Sequence, residues 1–258
     1  MILAIDIGNT NIEIGVLSVK KDDFNIIASA RYYTRLDVTS DQMALFIFNF
    51  LNIKKIDVTE IKAMIYSSVV PPLNNVIRKM FTDYFSQDVL EVDDKINLGI
   101  TNCYKNPKEV GSDRLVNATA VYHLFKKDSI IVDMGTATTL CTVTSDGKYY
   151  GGAIFTGIQT ATDALIKKAA RLPAIKIQKK DKLLAEDTAS AIEAGMFFSY
   201  HYALKGMIPR LAAEVDFTDY LVIGTGGYSS HFKDEKIFDV IDPLLTLKGL
   251  KIILDLNN

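Results

Sequence analysis

The sequence predicts an α/β protein built from two similar halves, and three observations carry that expectation. Short apolar runs rich in β-formers alternate with stretches of helical length and period. Asp6-x-Gly8 recurs as Asp133-x-Gly135, an offset close to half of the 258 residues. After each copy the order of expected elements starts again, with strands first and helices after them.

Met1 to Ile5 is a continuous apolar run, read as a buried strand, and Asp6 to Thr10 supplies the turn residues that end it. Alternation resumes at Ile12 to Val19 and, after a polar break, at Phe24 to Tyr33, which predicts three strands in hairpin sequence. Ser40 is placed to cap a helix over Asp41 to Leu51, Ala63 to Ser67 reads as a strand, Pro72 to Phe85 as a helix and Val89 to Val92 as a strand. Gly111 to Phe125 reads as a helix at the join of the halves, with no Ser/Gly/Pro linker beside it. The second half predicts strands at Ser129 to Val132, Thr139 to Thr144 and Tyr149 to Phe155, with Asp146-Gly147 as a hairpin turn. Helices over Ile158 to Ala170 and Thr188 to about Glu214, a strand at Tyr220 to Ile223, a short helix and a last helix after Pro243 complete it.

Composition narrows the function. Hydrophobic residues at 48% and charged residues at 23% are globular values that exclude disordered, collagen-like and coiled-coil chains. The balance of 29 basic against 31 acidic residues leaves no bulk attraction for nucleic acid. Cys103, Cys141 and the three histidines have no zinc-ligand spacing. The longest apolar run, Leu45 to Leu51, is interrupted by Asn49 and falls far short of a bilayer span, and the N-terminus lacks a signal-peptide pattern. The expectation is a cytoplasmic protein without membrane or nucleic-acid partners, whose chemistry rests on carboxylates, hydroxyls and backbone amides.

Asp6-Ile7-Gly8-Asn9-Thr10-Asn11 joins two strands, unlike a Walker loop or a dinucleotide fingerprint, which leads into a helix. In such a turn Gly8 lets backbone amides approach an anion, Thr10 and Asn11 add neutral donors, and Asp6 can hold a cation. One copy alone is as easily an ordinary Asp-Gly hairpin. The second, Asp133-x-Gly135-Thr136-Ala137-Thr138-Thr139, adds three hydroxyls, and the pair suits a polyphosphate with cations set between the carboxylates. Gly111-Ser112-Asp113-Arg114 suits a hydroxyl acceptor: Ser112 is placed to cap the helix, and the helix-end potential keeps Asp113 ionised. Thr225-Gly226-Gly227 is read as a strand-to-helix turn or an amide cradle on the nucleotide side. The Lys176 to Lys182 cluster is read as a solvated basic loop.

On these residues the chain resembles the type III pantothenate kinases, members of the actin-like ATPase superfamily that also holds hexokinase-type sugar kinases and Hsp70-type chaperones. The match includes both Asp-x-Gly loops, Tyr104-x-Asn-Pro-x-x-x-Gly-x-Asp-Arg114, Gly151-Gly152, Leu172-Pro173, Asp187-Thr188 and Thr225-Gly226-Gly227. The resemblance implies two ribonuclease-H-like lobes, residues 1–115 and 116–258, with mixed sheets and an interlobe cleft. It implies ATP-dependent phosphorylation of pantothenate to 4′-phosphopantothenate, the first step of coenzyme A synthesis. ATP then contacts Asp6, Ile7, Gly8, Asn9, Thr10, Asn11, Ile12, Glu13 and Thr136, and Asp133 holds potassium or ammonium while magnesium accompanies ATP. Pantothenate contacts Tyr104, Gly111, Ser112, Asp113, Arg114 and Thr188, with Asp113 as proton acceptor, and family members are homodimers. Two departures stand out: Phe155-Thr156-Gly157 replaces the usual Pro-Gly, which would loosen one turn, and Ala185 replaces a Gly before Asp187-Thr188. A non-catalytic regulator and another small-molecule kinase or phosphohydrolase of the superfamily remain as alternatives.

Overall fold

The structure, a computed structural model, describes residues 1–258 except 22, 94 and 169–174. Leu172-Pro173 and the end of the expected helix at Ala170 therefore lie outside the described residues. The first unit comprises Met1–His123 with Leu245–Asn258, and the second is Leu124–Leu244.

In the first unit β1 (Ile2–Ile7), β2 (Asn11–Leu17) and β3 (Ile26–Tyr33) form the antiparallel meander. Helix α1 (Ser40–Ile53) leads to β4 (Ala63–Ser68), which pairs in parallel with β1, and α2 (Pro71–Phe85) leads to β5 (Leu90–Glu91), giving the order β3-β2-β1-β4-β5. The cap of α1 is Thr39 rather than Ser40: its hydroxyl accepts from the Gln42 amide at 3.2 Å while Gln42 Oε1 accepts from the Thr39 amide at 3.0 Å. This reciprocal capping box satisfies two helix-end donors, which a Ser40 cap would not. Short β6 (Thr101–Asn102) precedes α3 (Ser112–Phe125).

The second unit repeats the plan with β7 (Ser129–Met134), β8 (Ala137–Val143) and β9 (Lys148–Thr156) antiparallel in turn. Helices α4 (Ile158–Lys168) and α5 (Thr188–Glu214) precede β10 (Leu221–Thr225), parallel to β7, and β11 (Val240–Ile241) adds beyond β10. Burial runs identically along β1 and β7, buried except at the aspartate, because each central strand packs on both faces. The cores follow: Ile5, Ile14, Met64 and Phe81 in the first unit, Val132, Leu140, Phe197 and Phe232 in the second.

The expected lobe boundary between residues 115 and 116 falls inside α3, and the compact units part at His123 instead. The reason is packing: Thr119 Oγ1 donates to the Leu98 carbonyl at 2.9 Å. The last helix, α6 (Leu245–Leu256), returns to β1, β2 and β4, and its Thr246 hydroxyl donates to Asn117 of α3 at 2.8 Å.

Candidate active site

In the first unit the central strands set a polar row across one sheet face. Register places Arg31 beside Glu13, Glu13 beside Asp6 and Asp6 beside Ser67, so the four side chains leave the same face. Ser67, fully buried, donates to Asp6 Oδ1 at 2.6 Å, and Arg31 Nε donates to Glu13 Oε1 at 3.1 Å. Burial pushes the Glu13 carboxyl up from its ordinary value, opposed by Arg31. The loop between β1 and β2 is closed by the Gly8 amide on the Asn11 carbonyl at 3.0 Å and braced by the Thr34 hydroxyl on the Gly8 carbonyl at 2.7 Å. Asn9, Thr10 and Asn11 are exposed at its tip. Ile7 and Ile12, two of the expected ATP contacts, face each other in register and are fully buried in the core, which leaves only their backbone for a ligand.

The Gly111–Arg114 segment meets the same sheet end. The Ser112 hydroxyl donates to the Ser68 carbonyl at 3.1 Å, so it ties α3 to β4 instead of capping the helix as expected. The Val69 amide donates to the Ile7 carbonyl at 3.0 Å, and the Val69 side chain lies beside Gly111. Asp113 Oδ1 accepts from the Arg114 amide at 2.8 Å and folds over Gly111, where a Cβ would sit 2.5 Å from that oxygen. Burial pushes the Asp113 carboxyl above its ordinary range, opposed first by the Arg114 amide and then by the Arg114 charge. Burial thus works against the ionisation that the helix end and the Arg114 charge favour. The Arg114 guanidinium lies 5.8 Å from the centroid of the Tyr104 ring and donates to the Glu109 carbonyl at 3.3 Å, so two of the expected pantothenate contacts stand together. A separate cavity of about 500 Å³ opens on the Ser112 and Leu115 side of α3, walled by Val92, Leu98 and Pro107; among the described residues Asp113, Arg114 and Tyr104 do not line it.

In the second unit Asp133, next to last in β7, lies beside Thr139 on one side and Thr225 on the other, the counterparts of Glu13 and Ser67. The turn is one residue shorter than its partner: the Gly135 amide closes on the Ala137 carbonyl at 3.0 Å. Of the three expected hydroxyls, Thr136 is exposed and Thr139 shares the Asp133 face. Thr138 points the other way, fully buried with no partner for its Oγ1 among the described residues. Strand alternation forces that split between adjacent threonines. Gly226 (φ +81°) runs against Asp133, where a Cβ would lie 2.4 Å from Oδ1, and Thr225-Gly226-Gly227 leads into a short 3-10 helix, Ser229–Glu235, not an α-helix. The turn at Thr156-Gly157, expected to be loosened, is held by the Tyr200 hydroxyl on the Thr156 carbonyl at 2.5 Å and by the Gly157 amide on the Thr136 carbonyl at 3.0 Å. Asp187 caps α5 by accepting from the Ser190 amide at 2.9 Å, and Thr188 is exposed in its first turn. Lys179 pairs with Asp234 at 3.0 Å and Lys180 with Glu193, so both cations are engaged locally.

Among the described residues no three His, Cys, Asp or Glu gather as a metal cage. Each loop instead offers one aspartate with hydroxyl and carbonyl oxygens, a donor set that fits hard cations sharing their shell with phosphate oxygens. Sequence reasoning missed Ser67, Ser68 and Val69. The parallel register of β4 against β1, which brings them to Asp6, has no local signal. Among the described residues no helix is long and apolar enough to cross a membrane.

Similarity to solved structures supports the fold. A Campylobacter jejuni protein described as a Baf family transcriptional activator is 19% identical, with 98% of this chain and 97% of that one covered at a TM-score of 0.61. A Listeria monocytogenes protein described as an N-acetylmannosamine kinase is 15% identical over 100% and 99% of the two chains, TM-score 0.54. The activator of 2-hydroxyisocaproyl-CoA dehydratase from Clostridium difficile, with ADPNP bound, is 10% identical over 97% and 91%, TM-score 0.50. The fold is that of the actin-like ATPases, with duplicated ribonuclease-H-like lobes. The family model for Type III pantothenate kinase matches residues 2–210. The chain belongs to the type III pantothenate kinase family, the enzymes that phosphorylate pantothenate with ATP in coenzyme A biosynthesis.

Proposed function

We propose that Asp113 accepts the proton of the pantothenate primary hydroxyl as that oxygen attacks the γ-phosphorus of ATP. The observation that carries this reading is the junction at the end of β4, where Ser67 holds Asp6 and the Ser68 carbonyl receives Ser112, one residue before Asp113. A phosphate-loop carboxylate and a half-buried carboxylate of raised pKa thus share one rigid anchor, as phosphoryl transfer needs when positioning supplies most of the rate. Gly8, Asn9, Thr10 and Asn11, with the backbone of Ile7 and Ile12, cradle phosphate oxygens, and Thr136 is a further ATP contact by likeness to the family. Glu13, paired with Arg31, is the last of the proposed ATP contacts on this loop. Tyr104, Gly111, Ser112, Arg114 and Thr188 hold pantothenate, with the planar Arg114 fork matched to its carboxylate.

Asp133 is the proposed ligand of potassium or ammonium, and magnesium enters with ATP. When bound, these cations supply positive charge against the phosphate oxygens. We place the protein in the cytoplasm as a homodimer, by likeness to its family. The test is a coupled ADP-release assay with magnesium and potassium present. Turnover that depends on pantothenate is expected, and its absence overturns the reading. Omitting potassium and ammonium is expected to abolish turnover, whereas unchanged activity removes the Asp133 assignment.

A further inference from the structure

We infer that Ser67 is a positioning residue for the transfer step, holding Asp6 in a single orientation; the inference rests on the phosphate-loop role proposed for Asp6. Ser67 is fully buried in a strand, so its side chain has little freedom, and its hydroxyl donates to Asp6 Oδ1 at 2.6 Å. A hydroxyl that donates to a carboxylate makes a charge-assisted bond, stronger than a neutral one. The donor comes from the parallel neighbour of β1 in register with Asp6, so backbone pairing fixes it.

The second unit repeats the placement with a hydroxyl again, Thr225 in parallel register with Asp133. Both halves thus set a buried hydroxyl residue beside the aspartate near the end of the central strand. The next residue, Ser68, uses its carbonyl to receive Ser112, so the strand end that orients Asp6 also anchors the start of α3. Glu13, the neighbour of Asp6 on the other strand, is engaged by Arg31, while Ser67 donates to Asp6 directly.

The test compares Ser67→Thr with Ser67→Val, two side chains of equal shape of which only threonine keeps the donor. The valine variant is expected to lose roughly 10- to 100-fold in kcat relative to the threonine variant, the span of one hydrogen bond to a charged group, with the KM for pantothenate nearly the same. In an Asp6→Asn background the two are expected to turn over alike, because the carboxylate that Ser67 holds is gone. Thermal melting of each protein reads out folding separately. Equal kcat for the two variants, or an undiminished difference in the Asp6→Asn background, overturns the positioning role. An Asp6→Asn protein with full kcat overturns the underlying reading of Asp6, whereas a damaged Asp6→Asn protein together with Ser67→Thr and Ser67→Val variants that are indistinguishable when Asp6 is intact overturns this inference alone.

Discussion

Asp113 is asked to be a base while the protein makes its ionisation costly. Its folded pKa is raised by burial, so the charged form is less stable in the folded chain than in the unfolded one. The cost is absent below the ordinary carboxylate range, where both states are protonated, and it is complete once pH exceeds the raised folded value. Asp113→Asn is therefore expected to raise the melting temperature at pH 7, with the difference closing below about pH 4. The same variant is expected to lower kcat by about 10²–10⁴-fold with little change in pantothenate affinity. Melting at the two pH values and steady-state kinetics check both, and a lower melting temperature at pH 7 contradicts the burial argument. The sequence located this residue, since Gly-x-Asp-Arg at a helix start is a local pattern. Its environment was not legible, because the burial comes from the close fit over Gly111, which in turn packs beside Val69, distant in sequence.

At the scale of strands, the repeat was legible from Asp-x-Gly alone, and what it concealed was the side each residue takes. Asp133 to Thr139 read as a loop with three hydroxyls, yet β8 begins at Ala137 and alternation then sends Thr138 and Thr139 to opposite faces. Thr138 lies among Met134, Leu140 and Phe155, and its counterpart in the first unit is Ile12, a plain core residue. A buried hydroxyl without a partner costs about 1–3 kcal/mol. Thr138→Val keeps the shape and removes that cost. We expect it to raise the melting temperature of this large chain by about 2–4 °C for each kcal/mol recovered, read by thermal melting. A fall in stability would mean that the Thr138 hydroxyl has a partner in solution. The turns themselves could not be counted from sequence: β2 starts one residue later after its aspartate than β8 does, and only the pairing shows it.

For the whole chain, the sequence reading of two successive halves holds for the sheets and fails for the last helix. A helix after Pro243 was expected as the end of the second half, but α6 returns to the first unit. Nothing local marks that return, because an amphipathic helix does not state which sheet it covers. Leu245, Leu247, Leu250, Ile252, Ile253 and Leu254 are buried, Leu247 abuts Gly15 of β2, and Asn257 exchanges hydrogen bonds with the Asn97 backbone at 2.8 and 3.0 Å. Six such side chains at about 1.5–3 kcal/mol each match the entire 5–15 kcal/mol by which a folded protein is usually stable. Ending the chain at Leu244 should therefore unfold the first unit, taking with it the sheet that holds Asp6 and Ser67, rather than trim the second. The expected outcome is insoluble protein, or soluble protein without a cooperative melting transition, and addition of a peptide spanning Leu245 to Asn258 should restore part of both folding and turnover. A truncated chain that melts cooperatively at the full-length temperature would show that α6 is dispensable to the β1-β2-β4 sheet it covers.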